Sequence, residues 1–216
     1  MREFITYEWF TVFCFAGLVL ITAAKYLFSA RFYDFIFVVG NSRYLKIYSK
    51  DLKFIDIFDG LLFANLVINL SIFGFFLYGT LYQPLEFDLL PFLKLCLAIA
   101  VVLLVKILLE RLIGSLFEIE SIMETYLFQK TTYKNFTGII LLLGNLVLLY
   151  ALQGSKIIIY AVITAVFIIN FIGFITSFKN YQNLLNRNIF YFLLYLCALE
   201  IGPYVILYKI LMEFNS

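Results

Sequence analysis

Apolar residues run through this chain in blocks too long and too uniform for helices with a single buried face. No charge interrupts Trp9 to Ala24, and none interrupts Gly60 to Leu85. A helix rises 1.5 Å per residue, so about 20 such residues cross a hydrocarbon layer ~30 Å thick. The pattern predicts an all-α, polytopic membrane protein forming one membrane domain over residues 1–216, with about six transmembrane helices at roughly 8–29, 57–82, 89–112, 135–153, 157–178 and 189–211. Membrane strands are a poor alternative, because they alternate apolar and polar positions and these blocks are apolar on every face.

Between the blocks the pattern changes. Residues 30–55 mix aromatics with Arg31, Arg43, Lys46, Lys50 and Lys53, and read as an interfacial segment with basic tips, holding rings at the headgroup level or meeting anionic lipid or a partner. Residues 114–134 place Leu116, Ile119, Ile122, Met123 and Tyr126 at helical spacing among Glu118, Glu120 and Glu124, which predicts an amphipathic surface helix. The third span is the least clean, since Lys94 and Lys106 leave eleven uncharged residues between them. Spans four and five are joined by "QGSK", short enough to demand an antiparallel hairpin, and the polar stretch "KNYQNLLNRN" reads as the loop before span six. A signal peptide is the competing reading of the first block, but Glu3 and Glu8 lead it and no clear cleavage box follows, so retention as an anchor is expected.

Composition agrees. The chain is 64% hydrophobic and 14% charged, against about 45–50% and about 25% in soluble domains, which excludes a soluble globular protein. Its formal charge of +2, with no Lys/Arg-dense face outside the juxtamembrane loops, offers nothing to nucleic acid. Cys14, Cys96 and Cys197 fall inside spans without C-x-x-C spacing, and the chain has no histidine. No metal, no cofactor and no enzymatic activity are expected, because the commonest general base and the usual catalytic motifs are missing.

Six spans put both termini on one side. Eleven lysines and arginines, Arg31 to Lys53, Arg111, Lys130 and Lys134 among them, fall on the opposite side. The positive-inside rule then predicts that both termini lie on the non-cytoplasmic face.

The polar residues inside the spans carry what chemistry there is. A charge at the bilayer centre costs about 2.5–3.5 kcal/mol on insertion scales. Glu200 lies near the middle of span six, beside Gly202 and Pro203, and that proline loosens the Leu199 carbonyl and kinks the helix. Lys106 in span three is the candidate counter-charge, with Glu110 one turn away competing for it. Asn69, Asn145 and Asn170 fall close to the midpoints of spans two, four and five. Such amides either hydrogen-bond across helices and fix the register, or line a midplane site of the kind transporters use. Asp56 and Asp59 read as helix N-terminal acids favoured by the macrodipole.

At "RYLKIYSKD", and above all at "FYFLLYLCALEIGPYVILYKIL", the chain resembles an uncharacterised integral-membrane family of the Bacteroidota, domain of unknown function 4271. The resemblance rests on Tyr195-Leu196-Cys197, Leu199-Glu200, Pro203 and Lys209 and would cover nearly the whole chain. It implies a multi-span inner-membrane protein without an assigned activity, and singles out Glu200 and Pro203. The expected function is an accessory or scaffold subunit that meets the lipid bilayer and a membrane-protein partner or a second copy of itself. The alternative is a small proton- or ion-coupled transporter using Glu200, Lys106 and the midplane asparagines.

Overall fold

The computed structural model describes residues 8–41, 43–49, 56–81, 87–116, 120–151 and 155–195. The regular elements among them are all helical: α1 (Glu8–Leu27), α2 (Ser29–Ile36), α3 (Arg43–Tyr48), α4 (Ile57–Leu81), α5 (Leu89–Leu116), α6 (Glu120–Leu146) and α7 (Lys156–Tyr195). α6 runs on into a π-helical turn, Val147–Ala151. The chain divides into two compact units, Met1–Phe174 and Ile175–Ser216. The first holds the bundle that follows; in the second, 175–195 is helix.

Five helical stretches among the described residues are long and apolar enough to cross a membrane: Glu8–Leu27, Ile57–Thr80, Leu89–Leu116, Met123–Ala151 and Lys156–Ser177. They fall where the first five spans are expected, and the chain is a multi-pass, all-helical membrane protein. Leu89–Leu116 has the highest mean hydropathy of the five, 2.7, so its two lysines do not break it. The expected sixth span, with Glu200 and Pro203, lies outside the described residues except for 189–195, which close α7.

Two expectations need correction. The expected surface helix over 114–134 is not a separate element: 114–116 close α5, and 120–134 are the first turns of α6, continuous with the fourth span. Met123, Tyr126, Leu127, Thr132 and Tyr133 are buried. No glycine or proline occurs between Glu120 and Phe136, so nothing in the backbone breaks the ladder where the side chains turn from mixed to apolar. The stretch 179–188 is likewise helical and part of α7 rather than a loop; its Asn, Gln and Lys residues lower helix propensity only slightly, and it too lacks glycine and proline.

Three helix starts are capped by carboxylate or amide oxygens, which satisfy N–H groups that have no partner within the helix. Asp56 Oδ1 accepts from the Phe58 N–H at 3.0 Å, Asp88 Oδ1 from the Leu90 N–H at 3.1 Å and Asn41 Oδ1 from the Arg43 N–H at 3.0 Å. Pro91 sits in the first turn of α5, where its missing N–H removes no helical bond.

α6 is the hub. It runs parallel to α4, since Asn135 meets Asp59 and Asn145 meets Asn69, each 76 residues apart. α1, α5 and α7 pack antiparallel to these two helices. Close approach comes from glycine. A Cβ on Gly138 would stand 2.9 Å from Leu66 Cα, one on Gly144 2.6 Å from Val162 Cγ2, and one on Gly114 2.7 Å from Met123 Cβ. Small residues let membrane helices gain dispersion contact where no hydrophobic drive exists between them. Apolar clusters fill both ends: Phe10, Cys14, Ile72 and Phe92 at one, and Ala24, Phe35, Tyr44, Phe58 and Tyr133 at the other.

Gly138→Ala should therefore destabilise the protein by about 1–3 kcal/mol, the usual penalty of overpacking. Gly60→Ala, whose added Cβ would meet nothing within 4 Å, should be neutral or stabilising by up to about 1 kcal/mol. Thermal unfolding in mild detergent separates the two, and equal effects would contradict the packing described.

Candidate functional site

Polar groups collect along the α4–α6 interface at two levels. The first is the start of α4, where α2 and α3 fold back onto the bundle. Arg31 on α2 bonds Asp56 through Nη1 and Asp59 Oδ2 through Nη2 at 3.0 Å, and its Nε donates to Tyr44 Oη at 3.2 Å. The guanidinium carbon lies 4.6 Å from the centroid of the Phe58 ring and 5.2 Å from that of Tyr48. Arginine suits this place because its planar fork satisfies two carboxylates while its face stacks on aromatic rings. Arg31 is thus not a solvated basic tip: half-buried, it joins two elements far apart in sequence. Asp56 and Asp59 are helix N-terminal acids as expected, and counter-charges as well. Asn135 on α6 closes the cage, its Nδ2 donating to the Asp59 carbonyl at 3.5 Å. Asp59 Oδ1 and Asn135 Oδ1 are buried without a hydrogen-bond partner.

Of the other basic residues in this segment, Arg43 is exposed and lies 3.8 Å from Asp34. Lys46 is exposed, and Lys50 and Lys53 lie outside the described residues. Burial pushes the Tyr44 phenol above its usual range and Asp59 adds to the effect, with the Arg31 cation opposing it.

About ten residues deeper, ~15 Å along the axis, comes a ladder of amides. Asn69 Nδ2 donates to both the backbone O and the Oδ1 of Asn65, each at 2.9 Å. Asn145 Nδ2 donates to Asn69 O at 2.9 Å and Oδ1 at 3.2 Å. All three side chains have 0% exposure. Gly17 of α1 and Gly138 of α6 close the ladder in, since a Cβ on either would stand 2.9–3.1 Å from Asn65 or Asn69 atoms. Asn65 Nδ2 and Asn145 Oδ1 are left without partners. The π-helical turn begins two residues after Asn145.

Asn69 and Asn145 therefore meet, and Asn170 does not join them. Its Nδ2 donates to Thr137 Oγ1 at 3.2 Å and to Val166 O at 2.8 Å, and Thr137 precedes Asn145 by eight residues, ~12 Å along α6. The seating of Val162 against Gly144 and of Tyr133 against Gly173 sets that register. Glu110, 1% exposed, takes its cation from across the bundle rather than from Lys106: Lys130 Nζ on α6 lies 2.7 Å from its Oε1. Lys106 is half-buried on α5 and has interactions of its own. Glu200 and Pro203 lie outside the described residues.

Asn65, Asn135 and two ion pairings escaped the reading of the sequence. Asn65 had a usable signal, standing four residues before Asn69 on the same helical face. The Arg31–Asp56–Asp59 pairing had none, because its members are 25 and 28 residues apart; nor did Glu110–Lys130. Among the described residues no group of three or more histidine, cysteine, aspartate or glutamate side chains is placed to hold a metal ion.

The family described as "Domain of unknown function (DUF4271)" matches residues 10–211. Neither a curated protein nor a solved structure matches the chain.

Removing Arg31 strands two half-buried carboxylates. Arg31→Met should lower stability by about 3 kcal/mol, the low end for a broken buried pair because these groups keep some solvent contact. Adding Asp56→Asn and Asp59→Asn to it should recover part of that loss, as measured by unfolding in mild detergent; a triple variant no better than Arg31→Met would refute the charge argument. Tyr44 supplies a pH dependence. Its pKa is higher in the folded than in the unfolded state, so the stability it contributes is complete below pH about 10 and is lost as pH rises beyond that. The unfolding midpoint of the natural protein should fall above pH about 10 more steeply than that of Tyr44→Phe, and parallel curves would count against the buried phenol.

Proposed function

Since the chain belongs to the DUF4271 family, which matches nearly all of it and is described as a domain of unknown function, we propose that the protein is a non-enzymatic accessory or scaffold subunit of a complex in the bacterial inner membrane. The observation that carries this reading is how the polar groups inside the spans are spent. Asn65, Asn69 and Asn145 bond one another in a volume closed by Gly17 and Gly138, and Glu110 binds Lys130. Polar groups bonded to one another this way hold helices in one register, which is what a rigid docking element requires. The basic residues support the expected orientation. Arg31, Arg43 and Lys46 lie at the bundle end that also carries Arg111 and Lys130, while Lys156 starts α7 at the other end. That end then faces the cytoplasm and the N-terminus faces away from it.

One observation favours the second reading, a proton- or ion-coupled carrier working around Glu200. Asn65 Nδ2 and Asn145 Oδ1 are buried deep in the spans without partners, and an unpaired amide in hydrocarbon is an invitation to a ligand or water.

The test is mass determination of the intact protein drawn in mild detergent from its native membrane at native expression level. A second protein at fixed stoichiometry, retained with Glu200→Gln, is the expected result. A monomer or homodimer whose pH-driven flux in vesicles disappears in Glu200→Gln would replace the subunit by the carrier.

A further inference from the structure

Where α5 ends and α6 begins, the two helices part around a cleft of about 430 Å³. Arg111, Leu112 and Ser115 line it from α5, and Glu120, Met123 and Glu124 from α6. α5 is 28 residues long, ~42 Å at 1.5 Å per residue. That length spans a whole bilayer with its headgroups, so the cleft lies at the headgroup level.

Its chemistry has two halves. Arg111 pairs with Glu124, the two side chains being equally exposed at 37%. Ser115 Oγ donates to Glu120 Oε1 at 2.7 Å. Among the described lining residues there are thus two carboxylates and one guanidinium. Glu120 and Glu124 stand one turn apart on the same face of α6, where like charges repel unless a cation sits between them. The guanidinium offers a planar fork suited to phosphate, one helical turn from the surplus carboxylate. A hydroxyl stands beside them.

The mouth of the cleft continues into an apolar track. Leu93, Leu97, Val101, Leu104, Leu108 and Leu112 recur every three or four residues of α5 and are each 48–68% exposed. They form one stripe along the helix, about 28 Å from Leu93 to Leu112, which is the room an acyl chain needs.

From this juxtaposition we infer that the α5–α6 cleft binds a membrane phospholipid whose headgroup carries both a phosphate and a primary ammonium. On binding, the ammonium takes over Glu124 from Arg111 and Glu120 from Ser115, Arg111 and Ser115 turn to the phosphate, and an acyl chain lies along the α5 stripe. Charge separates this ligand from other lipids. An anionic headgroup without an amine adds negative charge to a cleft whose described lining residues already carry a negative surplus. A quaternary ammonium carries no N–H to donate to the carboxylates. The site goes beyond the subunit reading and does not rest on it.

The experiment is native mass spectrometry of the full-length protein purified in mild detergent with an equimolar mixture of phosphatidylethanolamine, phosphatidylcholine and phosphatidylglycerol of identical chains. The expected result is retention of phosphatidylethanolamine about tenfold above the other two, the effect of one charge-assisted hydrogen bond. Glu120→Gln, an exposed change, should bring phosphatidylethanolamine down to the level of phosphatidylcholine. Leu112→Trp, which fills the mouth of the cleft, should lower its retention without touching a charge. Glycerophosphoethanolamine, which lacks acyl chains, should not displace the lipid at equal concentration. Equal retention of the three lipids, a preference for phosphatidylglycerol, no change in either variant, or displacement by the chainless headgroup would each overturn the inference.

Discussion

A side-chain amide in hydrocarbon has no water with which to exchange hydrogen bonds, so it stays buried only against another polar group. The Asn65–Asn69–Asn145 ladder is such a case, and the rest of the bundle is arranged around it. It joins α4 and α6, and a slip of one residue between those helices would break the Asn145 bonds and drive Gly138 off Leu66. With the two helices held in register, α6 presents Gly144 to α7 and Met123 to α5. α1 completes the enclosure through Gly17, whose missing side chain makes room for the amides.

The same register produces the charged end. Moving ten residues along both helices from Asn69 and Asn145 arrives at Asp59 and Asn135, which meet as well. Asp59 and the capping Asp56 then face Arg31, and Arg31 draws α2 and α3 onto the bundle. An excursion of mixed aromatic and basic residues thereby becomes part of the core, with Phe35, Val38, Tyr44 and Leu45 buried. Ion pairs of this kind contribute little net stability, because desolvation offsets their attraction; what they fix is which segment sits where. Both polar levels serve one consequence, a bundle with a single packed arrangement and one charged end.

Much of this was legible in the chain. Uniformly apolar blocks are an unambiguous signal when the solvent is lipid, and the midpoints of the spans put Asn69, Asn145 and Asn170 near one depth without selecting which of them meet. What midpoints do not carry is the register between neighbours. Asn170 is central in its own span, yet the seating of Val162 against Gly144 places it opposite Thr137 instead. Segment 120–134 has the mixed composition of a surface helix, but Glu120, Glu124 and Lys130 face partners supplied by α5, and composition says nothing of partners. Glu110 has Lys106 one turn away in sequence and binds Lys130, which no spacing rule selects. Arg31 looked like its basic neighbours because its two acids arrive only with the tertiary fold.

The central claim is that the hydrogen bond between the Asn145 and Asn69 side chains, beside the one from Asn145 to the Asn69 carbonyl, holds α4 and α6 in register, and a double-mutant cycle tests it most directly. Unfolding free energies in bilayer or bicelle would be measured for the natural protein, Asn69→Leu, Asn145→Leu and the double variant. The account predicts that the two changes are not additive, with a coupling of about 0.6–1.7 kcal/mol, the range of hydrogen bonds between membrane helices. Strict additivity would contradict it, since the register would then rest on the bond to the Asn69 carbonyl alone, which Asn69→Leu leaves in place.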